Sequence, residues 1–219
     1  FGKAQKSGRA VGHYAAAPET DAGAGKPSVP PPPQSMFRIA VQHGQQGLAY
    51  LMLDEGYNLM LAMQDAMDEK KFQLVLTLLT KNPDDGVVQQ KTQQAQNLFH
   101  ILSQNAASCK PEHLNRIYDT LKRRGVDCLA VDGFGRTALH YAVASRAHDL
   151  VIRLLQEGGA SATAIDMHGQ SPLTVYLKGK SATSVMLHVP TTGVFDPIFA
   201  ALMSAGADVN LLYPESDYE

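Results

Sequence analysis

The sequence predicts an all-α protein built from stacked pairs of short helices, and three observations support this prediction. From Ser35 onward, apolar residues recur at the spacing of amphipathic helices. The same pattern of residues returns at offsets that are multiples of 34 positions. Hydrophobic residues make up 44% of the 219-residue chain and charged residues 18%, which is the composition of a folded globular protein. A mainly disordered chain is therefore excluded.

The two ends of the chain differ in composition from its middle. Residues 1–34 are rich in Ala, Gly, Pro and Lys and end in the proline run 30–33. Such a composition cannot bury a core, so we expect a disordered tail with a short polyproline-II end. Residues 35–212 are expected to form the helical domain, and residues 213–219 a frayed acidic end. The proline run stays open as either an SH3 or WW ligand or a plain linker.

An internal repeat is visible when the sequence is shifted against itself. Moving the segment 137–158 back by 102 positions places it without a gap on the segment 35–56, and apolar positions and final glycines coincide. The offset of 102 is three times 34, and a forward shift of 34 brings Gly135 onto Gly169. Such offsets are expected of a unit close to 33 residues that repeats along the chain.

Each unit has the pattern of two short helices separated by a tight turn. In the clearest unit, Leu139, Ala142 and Val143 mark one apolar stripe, and a second stripe lies within 150–155. The small side chain of Ala142 lets the first helix approach its neighbour closely. The glycines at 158–159 supply the positive φ that ends the second helix.

The run DGFGRTALHYAVASRAHDLVIRLL, from Asp132 to Leu155, resembles an ankyrin repeat, whose signature is Thr-Pro-Leu-His-x-Ala within about 33 residues. The run AGADVN at 205–210 is similar to the end of such a repeat, and DMHGQSPL, which begins at Asp166, is similar to its start. The resemblance implies an ankyrin-type helical repeat solenoid with short hairpin loops. We interpret the domain as five units at roughly 35–58, 59–96, 97–131, 132–165 and 166–211.

Some residues depart from the family pattern. His140 and His100 stand at the family's histidine position, where the resemblance implies hydrogen bonding at a helix start rather than catalysis. Elsewhere that position holds Arg38, Met60 and Thr174. The first two units are joined too directly for a full hairpin. The fifth unit carries a long insertion within 178–196, which we expect to project from one face as a loop or a longer helix.

The resemblance implies that the chain binds another protein through the concave surface formed by hairpin tips and first helices. Phe134 is an aromatic residue in a loop, a type enriched in binding hot spots, and Arg136 would be a charged anchor. Two plainer interpretations stay open, in which Phe134 folds back onto its hairpin and Arg136 pairs with a neighbouring acid. The candidate partner-binding residues are Phe134, Arg136, Ser145, Arg146, Met167, His168 and Gln170.

Two other functions stay open beside this one. The chain begins at Phe1, so we interpret it as a piece of something longer. It would then be the substrate-recruiting segment of a larger enzyme, such as a ubiquitin ligase, a kinase or an ADP-ribosyltransferase, with the catalytic domain elsewhere. The third possibility is a purely structural spacer, which predicts a concave face without exposed aromatics or arginines.

Composition argues against several kinds of partner. The net charge is -2, which gives no support for binding nucleic acid or an anionic membrane. No apolar run approaches the roughly 18 residues of a membrane span. The two cysteines, Cys109 and Cys128, form no disulfide framework and fit a reducing compartment. We therefore expect an intracellular protein, cytoplasmic or nuclear, that is monomeric in isolation.

We expect no catalytic, cofactor-binding or metal-binding residues in this chain. Cys109 and His113 lie four positions apart, but a zinc site needs four ligands and the only other cysteine, Cys128, lies in a hairpin-like stretch. The string GAGK at 23–26 lacks the first glycine of a phosphate-binding loop and is followed by Pro27. The segment is therefore not expected to be an enzyme.

Overall fold

The computed structural model describes residues 35–82, 84–179 and 196–212, and the regular structure within these ranges is helical. An isolated antiparallel bridge between Val131 and Thr137 is the only β pairing of the described residues. The predicted all-α fold class is therefore confirmed. The predicted tail with its proline run, most of the predicted insertion and the acidic end lie outside the described residues.

The described helices follow one another mainly as pairs, each with an inner helix first and an outer helix second. The first two pairs are α1 (Met36–Gln42) with α2 (Gln46–Asp54) and α3 (Leu59–Asp68) with α4 (Phe72–Lys81). A one-turn helix, α5 (Asp85–Val88), follows. The next three pairs are α6 (Leu98–Asn105) with α7 (Pro111–Arg123), α8 (Ala138–Ala144) with α9 (His148–Gln156), and α10 (Pro172–Lys178) with α11 (Pro197–Ser204). Short 3-10 turns span Ala106–Ser108 and Val209–Leu212.

These helices are short. The longest that the structure describes, α7, has 13 residues. Within the described ranges, no helix is long and apolar enough to cross a membrane. The number of repeats and the boundaries between them stay predictions.

A residue in the left-handed region ends the inner helix in three of the pairs. Gly44, Lys70 and Arg146 have φ values of 70°, 59° and 59°, and the outer helix begins two residues after each. This region is uncommon for residues with a Cβ atom, so the turns at Lys70 and Arg146 carry no glycine signal in the sequence. The third pair differs, because α6 runs into a 3-10 turn and α7 begins at Pro111.

Four of the outer helices begin differently from the inner helices, whereas the outer helix α11 is capped by Asp196, which accepts from the N–H of Ile198. The inner helices have polar N-cap residues whose side chains bond the first turn, namely Ser35, Asn58, Asn97, Thr137 and Ser171. The N-cap side chains of α2, α4, α7 and α9 accept no such bond, and these residues are Gln45, Lys71, Lys110 and Ala147. The first-turn N–H groups of these four outer helices therefore lack a capping side chain.

One hydrophobic cluster runs through all five pairs. The inner helices α1, α3, α6, α8 and α10 contact one another in chain order. Phe37, Met63 and Leu139 are fully buried in this cluster, and so is Ala142 on α8, as the close approach of that helix requires. Because each pair covers the apolar surface of its neighbours, a destabilised pair should weaken the pairs beside it.

The inner helix α3 is longer than α8, with 10 residues against 7. The extra turn moves the position that corresponds to His140. His140 lies six positions before the left-handed residue Arg146, and the residue six positions before Lys70 is Gln64. Counted back from this turn, Gln64 rather than Met60 corresponds to His140. Met60 is a buried core residue instead.

Candidate binding surface at the hairpin tips

A tight hairpin precedes α8, and a buried aspartate holds it together. The backbone N–H of Asp132 donates to the carbonyl of Arg136 at 2.9 Å. The Oδ1 atom of Asp132 accepts from the N–H groups of Phe134 at 2.8 Å and Arg136 at 2.9 Å. Gly135 supplies the left-handed residue, with φ of 72°. The carboxylate thus fixes the loop from inside, and the tip residue Phe134 faces outward.

A second hairpin with the same geometry precedes α10. Asp166 donates its N–H to the carbonyl of Gln170 at 3.0 Å, and its Oδ1 atom accepts from the N–H groups of His168 and Gln170, both at 2.9 Å. The N–H of Met167 donates to the carbonyl of Phe134 at 2.9 Å, so the two hairpins are joined through their backbones. The tips therefore form one preorganised surface.

A third hairpin, which was not predicted from the sequence, precedes α6. Thr92 donates its N–H to the carbonyl of Gln96 at 2.8 Å, and the hydroxyl of Thr92 accepts from the N–H of Gln96 at 3.2 Å. Ala95 takes the left-handed position with φ of 58°. This hairpin has neither the aspartate nor the glycine of the others. Its one sequence signal is the spacing, since Thr92 lies five residues before the N-cap Asn97, as Asp132 does before Thr137.

The two motif histidines connect each inner helix to the next hairpin. The Nδ1 atom of His140 accepts from the N–H of Thr137 at 3.1 Å, and its Nε2 atom lies 3.1 Å from the carbonyl oxygen of Gln170. His100 repeats this arrangement with Asn97 and Arg136, at 3.2 Å and 3.1 Å. Because a carbonyl only accepts, Nε2 carries the proton in both rings. Burial lowers the pKa of both histidines. The prediction that they are helix-start hydrogen-bonders is confirmed.

Three candidate residues lie exposed on the hairpin tips. Phe134 is 42% exposed and Met167 is 72% exposed, and His168 beside it is also exposed. The apolar residues Val131 and Ile165, at equivalent places in the two hairpins, are exposed as well. Phe134 therefore does not fold back fully onto its hairpin. The tips carry an apolar patch at the point where the two hairpins meet.

Arg136 forms an ion pair with the buried aspartate of the next hairpin. Its Nε atom lies 3.0 Å from Oδ2 of Asp166, whose side chain is fully buried. The hydrogen bond to Asp166 raises the pKa of Arg136. Burial opposes ionisation of Asp166, but hydrogen bonds from the Gln170 backbone and from Arg136 outweigh it and lower the pKa of that carboxyl. Arg136 thus pairs with a neighbouring acid, as the plainer of its two interpretations holds. Its role in partner binding stays a prediction.

Ser145 and Arg146 lie apart from the hairpin tips. They follow the C-terminal end of α8, which has 7 residues and is about 10 Å long. The hydroxyl of Ser145 donates to the carbonyl of Ser103 at 2.7 Å, and Arg146 donates to the carbonyl of Gly179 at 3.0 Å. Both side chains connect neighbouring pairs. The predicted residues therefore form two groups, one on the hairpins and one at the helix turn.

The cysteines give no sign of a metal centre. Cys109 and Cys128 are free thiols, and burial raises the pKa of Cys109 to about 11. In the part of the chain that the structure describes, no group of three or more His, Cys, Asp or Glu residues could hold a metal ion. Hydrogen bonds within the protein hold the hairpins together, and apolar side chains at their tips are exposed.

Stacked helix pairs with hairpins between them define a helical repeat protein. Residues 134–167 match the family model of the ankyrin repeat. The predicted resemblance to ankyrin repeats is confirmed over this segment, which includes Phe134, α8, α9 and the start of the second hairpin. The ankyrin repeat is a protein–protein interaction module. A comparison with curated proteins found no match.

Proposed function

We propose that this chain is a protein-binding module that holds its partner on the hairpin tips. The observation that carries the proposal is the pair of exposed apolar side chains, Phe134 and Met167, on two hairpins joined by a backbone hydrogen bond. Apolar and aromatic residues on a rigid support are the groups that anchor protein interfaces. A structural spacer would lack such an exposed aromatic residue.

The charges around the tips favour an apolar segment of the partner. Asp132 and Asp166 are buried, and their oxygens accept hydrogen bonds from within the hairpins. Arg136 is paired with Asp166. The tips therefore present little unpaired charge, and the matching surface on the partner is a small group of aliphatic or aromatic side chains with a polar rim.

The histidines support a binding role over a catalytic one. A general base needs a ring nitrogen that reaches the substrate. In His100 and His140 both ring nitrogens are engaged by the protein backbone, and both side chains are buried. We therefore propose that the segment is not itself an enzyme. If the chain belongs to a larger enzyme, the same surface would recruit that enzyme's substrate.

We propose that the chain is monomeric and binds its partner in the cytoplasm or the nucleus. The two free cysteines support a reducing compartment, because a secreted chain tends to oxidise its thiols to disulfides. No basic surface for nucleic acid is implied by a net charge of -2.

The test is affinity capture with residues 35–219 as bait. Phe134→Ala with Met167→Ala should leave the melting temperature unchanged and weaken partner binding about tenfold or more, because exposed anchors contribute to the interface and not to the core. The matched control is Leu51→Ala with Met203→Ala, which truncates two exposed apolar residues on the outer helices α2 and α11. A partner that the parent and the control capture and the hairpin variant loses supports the proposal. Equal capture by both variants would contradict it.

A further inference from the structure

A cavity of about 300 Å³ opens at the turns of the first three helix pairs. It lies at the edge where inner helices end and outer helices begin, whereas the hairpins precede the inner helices. The first turn contributes Val41, Gly44 and Gln46, the second contributes residues 70–74, and the third contributes Ser108, Lys110 and His113. Stacking of the pairs thus creates a site from three separate parts of the chain.

The lining of this cavity is apolar and cationic. Val41, Phe72 and Leu74 are buried residues of the hydrophobic core and form its apolar part. The charged and titratable lining residues are Lys70, Lys71, Lys110 and His113. No carboxylate lines the cavity, and none of the three lysines forms an ion pair with another described residue.

The acidic residues nearest in sequence do not neutralise these lysines by an ion pair. Glu69 precedes Lys70, but its Oε1 atom accepts from Arg38 at 2.7 Å and from Gln42 at 2.9 Å. Glu112, in the first turn of α7, is exposed and lies outside the lining. The lining therefore carries three lysines, all of them exposed, and no carboxylate.

The backbone adds further hydrogen-bond donors to the same cavity. Lys71 and Lys110 are the N-cap residues of α4 and α7, and neither cap makes a side-chain bond to the first turn. The first-turn N–H groups of a helix have no acceptor within the helix, and the helix N-terminus carries partial positive charge. Phe72 and Gln73 from the first turn of α4 line the cavity. The lysine side chains and these N–H groups are all donors.

We propose that this cavity binds a phosphoryl group. A phosphate carries nearly two negative charges at pH 7 and three strong acceptor oxygens, which match clustered ammonium groups and exposed N–H donors. The N-termini of α4 and α7 carry partial positive charge, which also favours a bound anion. The apolar part of the cavity gives room for carbon atoms attached to the phosphate.

The phosphoryl group could come from a phosphorylated side chain of another protein or from a free phosphorylated small molecule. Both present the same chemistry to the lysines, and they differ in whether peptide atoms also contact the cavity. The site is independent of the hairpin tips, so its failure would leave the proposed function standing, and the reverse also holds.

The experiment is a titration followed by backbone amide NMR shifts and by melting temperature. The probes are inorganic phosphate, the tripeptide alanyl-phosphoseryl-alanine and its unphosphorylated counterpart, each against sodium chloride at matched ionic strength. The variant Lys71→Gln with Lys110→Gln removes two lining charges. The variant Lys91→Gln with Lys178→Gln removes two exposed lysine charges that are absent from the lining and is the matched control.

We expect saturable shifts at residues 70–74 and 108–113 and a higher melting temperature with phosphate or phosphopeptide. Affinity should fall at least tenfold in the lining variant and stay unchanged in the control. Tighter binding of the phosphopeptide than of phosphate identifies a phosphorylated protein as the source, and equal or weaker binding identifies a free phosphorylated molecule. The proposal is overturned if neither phosphorylated probe saturates, if the unphosphorylated peptide binds equally, or if both variants bind as the parent does.

Discussion

The inner helices α8 and α1 are connected to the next helix pair by different contacts. His140, on α8, is buried and reaches the backbone carbonyl of Gln170 in the next hairpin. Arg38 stands 102 positions earlier, at the corresponding place on α1. Its guanidinium instead reaches Asp68 at 3.6 Å, the last residue of α3, and the C-cap residue Glu69 at 2.7 Å, and its side chain is 33% exposed.

The difference follows from the hairpins. Between α8 and α10 a hairpin offers a fixed carbonyl group, and a short ring reaches it. Between α2 and α3 only residues 55–58 are present, which leaves no room for a hairpin of the later kind. A longer charged side chain then bonds directly to the next inner helix. A buried neutral hydrogen bond should hold its pair more firmly than a partly exposed ion pair, because water and salt screen the latter.

The largest effect is expected where α8 packs against its neighbours. Ala142→Asp should destabilise the protein by about 3–5 kcal/mol, because it leaves an unpaired charge in a fully buried position. The measurement is urea unfolding followed by circular dichroism. Ala144→Asp is the control, since Ala144 is exposed on the same helix and should change the free energy of unfolding by less than about 0.5 kcal/mol. Similar losses for both variants would disprove tight packing at Ala142.

His140→Ala tests the buried connection between α8 and the second hairpin. The change leaves the Thr137 N–H and the Gln170 carbonyl without their partner, so we expect a loss of about 2–3 kcal/mol in the free energy of unfolding. Urea unfolding measures it at pH 7. His148→Ala, at the exposed start of α9, is the control and should be nearly neutral. The interpretation fails if the two variants behave alike.

The same pair of variants should differ in their dependence on pH. Burial holds the pKa of His140 and His100 in the folded protein below the ordinary value of 6.5. As the pH falls, the unfolded chain therefore binds protons first, and stability decreases with pH from about 6.5 downward. His140→Ala removes one of these groups, so its stability should decline less between pH 7 and pH 5 than that of His148→Ala. Parallel decline in the two variants would contradict burial of His140.

The sequence was sufficient for the features that depend on nearby residues. The TALH run placed the start of α8 and the role of His140, and the offset of 34 placed the two aspartate hairpins in register. The third hairpin was missed because Thr92 and Ala95 replace the aspartate and glycine that mark the others. Its backbone is stabilised by its neighbour, since Gly133 donates to the carbonyl of Gln94 at 2.7 Å.

Features that arise from stacking were beyond the reach of the sequence. Lys71 and Lys110 lie far apart along the chain and share a cavity only because α3, α4, α6 and α7 pack together. The ion pair of Arg136 with Asp166 likewise joins successive hairpins, so the sequence could offer it only as one of two interpretations. Patterns within one unit predict helices and turns, whereas contacts between units decide which polar residues remain available to a partner.

The smallest effect is expected at Arg38, the residue of α1 that corresponds to His140 of α8. Arg38→Ala should reduce the free energy of unfolding by about 0.5–1 kcal/mol, because an ion pair that is one-third exposed gains little over hydration. The loss should shrink as sodium chloride is raised, since salt screens exposed charges, whereas the loss from His140→Ala should stay constant. A double-mutant cycle with Glu69→Gln isolates the coupling between the two side chains. A salt-independent loss as large as that of His140→Ala would mean that the ion pair holds α1 to α3 as firmly as the buried histidine holds α8 to its hairpin.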